Sequence, residues 1–413
     1  MQMIDNKTVA STGRLAWLDF MRVTACLMVM VIHSTEPFYL GGEGGLILTA
    51  TDAFWVAVFE GLCRCCVPLF LMASAYLQFP LRYSTGEFFR RRAVRILIPM
   101  LLWTVVYALV WGEPIENFKG LLLNFNYAAG HLWFVYMLVG VYLLMPLLSP
   151  WAEKVSAKEL EVYLGIWLVT TLFPFIREAA GGVAPLIQAA DGLPAQALFP
   201  LWGEASWNAY GSFYYVSGFI GYMLVGLYLK KFLVRTPWIR WTGWSLFLMG
   251  FLAIVHGLLR RFSATGGVFP LGGDLSVAVA WETPITFCSL PVVLTSVGLM
   301  LVFRCLPEDE PISGASAHHL VAEKGSPSGG GFYWHIILPL SKAGYGMYLM
   351  HMLVLTQFSV LYRNWLGLGA EGLLGYWTTP VQIVATALSS FLVVGLIAVL
   401  IQRIPRVGKY MAG

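Results

Sequence analysis

Ten apolar runs of about 20 residues leave this chain few ways to fold. They fall at 15–36, 53–79, 93–112, 131–150, 160–176, 210–229, 241–259, 282–303, 336–361 and 380–402. At ~1.5 Å of rise per residue, such a run crosses the ~30 Å hydrocarbon layer of a bilayer as a helix. Lipid offers no partner to a backbone N–H or C=O, so a segment that spans it must satisfy its own backbone. The expected fold is an all-α, polytopic membrane protein of about ten helices. Composition agrees: 58% of the 413 residues are hydrophobic and 12% charged, against ~25% charged in soluble domains. Residues 1–413 read as a single membrane domain, with 305–335 (PEDEP, then SPSGGG) as a flexible loop.

Lysine and arginine set the orientation. With the N-terminus inside, 19 of the 26 fall on inner segments and 5 on outer ones, leaving Arg22 and Arg64 within spans. The positive-inside rule then puts both termini and 305–335 in the cytoplasm, and the Gly-, Pro- and Ala-rich loop 177–209 outside. No small-residue cleavage site follows the first apolar run, so that run is expected to stay as a helix. The net charge of +4 is explained by topology signals, and no basic block interleaved with aromatics suggests a nucleic-acid partner. The six cysteines show no disulfide spacing; Cys63, Cys65 and Cys66 read as small buried hydrophobes rather than metal ligands. His318 and His319 lack any surrounding metal signature. No metal is expected.

Within the first run, Leu18 to Ser34 carries two ionisable groups, Arg22 and His33. Eleven residues at ~100° each make about three whole turns, so both leave one helix face, ~16 Å apart along the axis. Arg22 alone reads equally as a snorkelling side chain, and His33 alone as a satisfied packing residue. The pair on one face points to function, because charge inside a membrane is costly. Glu60 and Arg64, four residues apart, read as a self-satisfied structural pair more than a substrate contact. Arg92 and Arg95 open the third run; they read first as anchors of a cytoplasmic helix end and second as phosphate binders.

Leu18-Asp19-x-x-Arg22 followed by Arg-x10-His resembles the first-helix motif of the acyltransferase-3 family of integral membrane acyltransferases. Arg92-x-x-Arg95 looks like that family's second motif. His131-Leu-Trp133-Phe-Val-Tyr136, leading to Tyr142 and Pro146, is similar to the branch of bacterial surface polysaccharide O-acetyltransferases, and so is the sixth run, whose Gly218, Gly221 and Gly226 suggest close helix packing. Tyr345-Gly-Met-Tyr348-Leu-Met-His351 resembles a further family element.

The resemblance implies transfer of an acetyl group from cytoplasmic acetyl-CoA to a sugar hydroxyl of a surface polysaccharide or its lipid-linked precursor, in a bacterial cytoplasmic membrane. Acetyl-CoA is a co-substrate here; the partners are the acyl-CoA, the carbohydrate and the bilayer. Arg92 and Arg95 inherit the CoA phosphates, with Arg22 beside the pantetheine path and, together with His33, one of the two catalytic candidates. His33 is the candidate general base, and Glu36, one turn on, either orients its ring or is solvated at the outer interface. No Gly-x-Ser-x-Gly element is present, which favours direct transfer over an acyl-enzyme. Glu36, His131, Trp133, Tyr136 and His351 are candidates for contact with substrate; an interfacial aromatic belt and packing account for the last four as well. Tyr142 and Pro146 read as packing residues. The rival class is a transporter or flippase of a lipid-linked sugar, which calls for mid-membrane acids and broken helices. A third possibility, a catalytically dead subunit, is disfavoured by the presence of both Arg22 and His33.

Overall fold

The computed structural model describes residues 15–39, 49–112, 127–179, 210–264, 281–306, 330–405 and 408–411. The segments 180–209 and 307–329, which hold most of the two long loops expected outside and inside, lie beyond these residues. So does 1–14.

The regular structure of the described residues is helical, without a strand. In chain order the helices are α1 (Ala16–Thr35), α2 (Ala50–Cys63), α3 (Cys66–Gln78), α4 (Thr85–Arg92), α5 (Ile98–Val110), α6 (Trp133–Lys154), α7 (Ala157–Thr170), α8 (Phe173–Ala179), α9 (Ile220–Lys231), α10 (Pro237–Ala264), α11 (Leu290–Arg304), α12 (Leu338–Leu366) and α13 (Thr378–Gln402). Eight of the ten apolar runs form helices long and apolar enough to cross a bilayer. The other two are built differently. The run 210–229 begins as a 3₁₀ turn, Gly211–Val216, and continues as α9, whose 12 residues reach only ~18 Å. The run 336–361 lies in α12, which has length to spare at 29 residues but is diluted by Ser341, Lys342, several glycines and His351. The chain is thus a multi-pass integral membrane protein.

Prolines explain the irregular turns. Pro68 has no N–H for the carbonyl of Arg64, four residues back, and its ring crowds that oxygen. The second run breaks there, α2 ending and α3 starting on either side of Arg64 and Cys65. Pro99 and Pro339 act likewise on Arg95 and His335, and each is preceded by a π-helical turn, Ala93–Leu97 and Tyr333–Ile337. Arg95 sits in the first of these.

Helix α1 is the centre. It packs against α2, α3, α11, α12 and α13. Its Met21, Ala25, Val29 and Ile32 enter the largest apolar cluster, while Cys26 and Met30 face another cluster built with α5, α12 and α13. Packing rather than water exclusion must hold helices together in lipid. The window of α1 is 56% buried, against 22% for α10 on the periphery. Two of the glycines read as packing residues are that: a Cβ on Gly226 would lie 2.7 Å from the Met72 carbonyl, and one on Gly221 would strike the Trp167 ring. Gly218 serves otherwise. Nothing lies near it, and it holds a φ of +71°, which side chains rarely adopt.

Candidate active site

Helices α1 and α12 run side by side in the same direction. Asp19 accepts from Ser341 Oγ (2.6 Å), Cys26 Sγ reaches the Gly344 carbonyl (3.8 Å), and the ring of His33 lies 4.9 Å from that of His351. Asp19 also accepts from Tyr333 Oη at 2.8 Å. The Asp of the opening motif therefore clasps α1 to the start of α12. A cavity of about 320 Å³ opens alongside this pair, walled by α3, the α4–α5 junction and α6.

One end of the cavity is basic. Arg22, Arg92, Arg95 and Lys342 line it. The motif Arg90-Arg91-Arg92 divides by helix face. Glu87, placed by the Ser84 cap of α4 (Glu87 N to Ser84 Oγ, 3.4 Å), takes Arg90 at 2.9 Å and Arg91 at 2.6 Å on the exposed side. Arg92, on another face, lies over the rings of Tyr142 (5.3 Å) and Phe88 (5.4 Å), and its buried Nε has no hydrogen-bond partner. Arg95 and Lys342 are exposed at the rim.

The other end holds histidine. His33 Nδ1 lies 2.8 Å from Glu36 Oε2, with the two side chains 15% and 25% exposed. The contact lacks the alignment of a hydrogen bond, so Glu36 acts on the ring by charge and does not fix which ring nitrogen carries the hydrogen. His131 and Trp133 line this end as well. His131 is buried; its ring lies 5.0 Å from His351 and 4.8 Å from Tyr107, and its carbonyl accepts from Tyr348 Oη. Trp133 packs on Phe287 with centroids 5.2 Å apart.

Between the ends, the wall is largely apolar, with Val67, Phe70, Phe134 and Leu138. The tyrosines there spend their hydroxyls on the protein. Tyr345 donates to the Ile96 carbonyl at 2.8 Å, and Tyr142 shares a hydrogen bond of 2.9 Å with Ser74. Their rings face the cavity.

The structure thus gathers Arg22, His33, Glu36, Arg92, Arg95, His131 and Trp133 around one space. Two candidates stand apart. His351 is fully buried and does not line the cavity; it backs His33 and His131, with Nδ1 2.6 Å from the Tyr348 carbonyl. Tyr136 is 39% exposed on another face of α6 and does not line the cavity. Further lining residues are ones that sequence reasoning assigns elsewhere or misses. Tyr142, which reads as packing, lies under Arg92. Arg64, which reads as half of a structural pair, lines the cavity. Gln78, Ser341 and Lys342 also line it with no role expected from sequence. Ser341 and Lys342 lie one helical turn before Tyr345, and that spacing is the signal that could have found them. Among the described residues, no group of His, Cys, Asp and Glu could hold a metal ion.

The acyltransferase domain family model matches residues 15–399, nearly the whole chain. The chain belongs to the acyltransferase-3 family, and it is a membrane acyltransferase. No curated protein and no solved structure matches it.

Proposed function

We propose that this acyltransferase moves an acetyl group from cytoplasmic acetyl-CoA to a sugar hydroxyl of a surface polysaccharide or its lipid-linked precursor, in a bacterial cytoplasmic membrane. The observation that carries the reading is the polarity of one cavity, with four cations at one end and an imidazole beside a carboxylate at the other. CoA is polyanionic at its nucleotide and slender along its pantetheine arm. Arg92 and Arg95 would hold phosphates, since guanidinium groups offer forked donors. Arg22 would steady the polar start of the arm, and the apolar middle of the cavity suits the remainder. The thioester would then stop near His33.

There, His33 takes the proton of the attacking hydroxyl, and Glu36 steadies the imidazolium that forms. The oxygen–carbon bond forms, the carbon–sulfur bond breaks, and the proton returns to the leaving thiolate. His131 and Trp133 border the space left for the acceptor. The Lys and Arg distribution supports a cytoplasmic basic end and cytoplasmic termini. The broken second span and buried Glu60 are features a transporter would also have, but the family assignment favours transfer. The test is incubation of membranes with labelled acetyl-CoA. Label is expected in the isolated glycan with the native chain and not with His33→Ala. Absence of label with the native chain would overturn the acetyl-CoA reading.

A further inference from the structure

Acyl transfer leaves one charge unaccounted for. When the hydroxyl attacks, the carbonyl oxygen of the thioester gains a negative charge, and a site without water must meet it with fixed donors. The cavity has a candidate at the break between α2 and α3.

Arg64 is held on two of its three nitrogens. Nε donates to the Ile285 carbonyl at 2.7 Å, and Nη1 lies 3.3 Å from Glu60 Oε2. Its plane is fixed by Phe287, whose centroid is 4.6 Å from the guanidinium carbon. The break caused by Pro68 sets Arg64 where the helix stops, so its side chain is anchored to the loop before α11 and not carried on a free helix face. Nη2 has no hydrogen-bond partner among the described residues, and Arg64 lines the cavity that His33 lines.

The partner of Arg64 is complete where Arg64 is not. Glu60 is fully buried. Its Oε1 accepts from Thr35 Oγ1 at 2.6 Å and from Tyr39 Oη at 3.3 Å, and its Oε2 faces Arg64. Thr35 is two residues from His33, so the same carboxylate ties Arg64 to the helix end that carries the base. A buried ion pair is costly to assemble and rarely the best way to stabilise a fold. A pair serving packing alone would close both groups. Here the acid is closed on both oxygens, whereas the cation, which Glu282 also attracts, lines the cavity with Nη2 unbonded among the described residues.

We propose that Arg64 is the oxyanion donor of the transfer reaction, with Nη2 meeting the carbonyl oxygen of the acyl group. The inference rests on the reading of His33 as general base. The acceptor oxygen bonds to the acyl carbon, and the carbonyl electron pair moves to oxygen, where Nη2–H stabilises it. His33 holds the acceptor's proton meanwhile. Collapse returns the electron pair to the carbonyl, expels the thiolate and protonates it from His33. Ester and thiol are the products. Glu60 is a positioning residue: it touches Arg64 and not the acyl group.

Removing Arg64 alone would strand a buried carboxylate and could unfold the chain. The test therefore uses the neutral pair Glu60→Gln with Arg64→Gln, beside Glu60→Gln alone, in the full chain. Thermal stability in detergent reads folding. Transfer is followed with labelled acetyl-CoA and graded amounts of the source cells' glycan, stripped of esters by mild base. The expected result is a folded double variant whose rate at saturating glycan falls about 10²–10³-fold, the loss typical of one oxyanion donor. Half-saturating glycan and acetyl-CoA binding should stay unchanged. Glu60→Gln alone keeps the Arg64 cation but loosens its Nη1 hold, so where it folds its rate should fall less than that of the double variant. A folded double variant with native turnover would overturn the proposal. So would native turnover with a raised glycan requirement, which would make Arg64 an acceptor contact. Ester content of the surface glycan in a deletion strain, complemented by each variant, reads the same step whatever the donor. An inactive native chain in the acetyl-CoA assay alone would therefore count against the donor, and not against Arg64.

Discussion

The two ends of the cavity are built on opposite plans. At the basic end the groups are several, and two of them, Arg95 and Lys342, stand exposed at the rim. The four charges come from α1, the start of α12, the π turn before α5 and the last turn of α4. At the histidine end two groups are held by hydrogen bonds, Arg64 by Glu60 and the Ile285 carbonyl and His351 by the Tyr348 carbonyl, while His33 lies beside Glu36. Redundant exposed charge suits capture of a polyanion, where each contact adds a share. Braced single groups suit chemistry, where a misplacement of about 1 Å costs ~10² in rate. The basic end should therefore lose function in steps and the histidine end all at once.

The largest effect is expected at His33. His33→Ala should lower single-turnover transfer by about 10²–10⁴, the usual worth of a general base, with acetyl-CoA binding near native. Calorimetry beside rapid quench separates the two. Transfer at a near-native rate would remove the distinction between the ends. Next is the double variant Arg92→Ala with Arg95→Ala. Two charge-assisted hydrogen bonds at ~1.5–3 kcal/mol each make binding weaker by about 10² or more, while turnover at saturating donor is kept. Lys at both positions should restore part of the binding, since it keeps the charge and loses the fork. Unchanged binding in the alanine pair would leave these residues as topology anchors.

A smaller effect is expected from Glu36→Gln. One charge-assisted contact is exchanged for a neutral one at a site 25% exposed. A loss of about tenfold in turnover, ~1.4 kcal/mol, is expected, with donor binding untouched. A native rate in this variant would mean that His33 is oriented by its ring packing on His351 alone.

The contrast also explains what is legible without coordinates. Arg22 and His33 are legible because helical periodicity alone puts them on one face, and Arg92 and Arg95 because their spacing repeats one turn. These are properties of single helices. Tyr142 and Arg64 depend on how helices cross. Tyr142 faces the cavity only because α6 lies under Arg92, and a tyrosine in an apolar run gives no sign of that. Arg64 looks self-satisfied from its i,i+4 spacing to Glu60. The available sign in the sequence is Pro68, four residues on, which marks a break at Arg64. The same limit affects the helix count. Among the described residues eight helices have the length and hydropathy of a span, whereas α9 is cut short by a 3₁₀ turn that a run of Phe, Tyr, Val and Ile does not reveal.

The smallest effect sharpens the contrast inside the basic motif itself. Arg90, Arg91, Arg92 and Arg95 crowd into six positions, and composition treats them alike. The helix does not. Arg90 and Arg91 share Glu87, and Arg91 also lies over Tyr83, its guanidinium carbon 4.1 Å from the ring centroid. Their side chains are 74% and 42% exposed, and neither lines the cavity. Exposed pairs of this kind contribute about 0–1 kcal/mol. Arg90→Ala with Arg91→Ala should therefore leave acetyl-CoA affinity within about twofold of native and cost at most a slight loss of thermal stability. A weak dependence on ionic strength should remain, because distant charge still adds to the field at the cavity mouth, within a Debye length of ~10 Å at 0.1 M salt. If this pair weakens binding as much as the Arg92 and Arg95 pair, then net charge and not placement governs capture, and the division of the motif by helix face has no functional meaning.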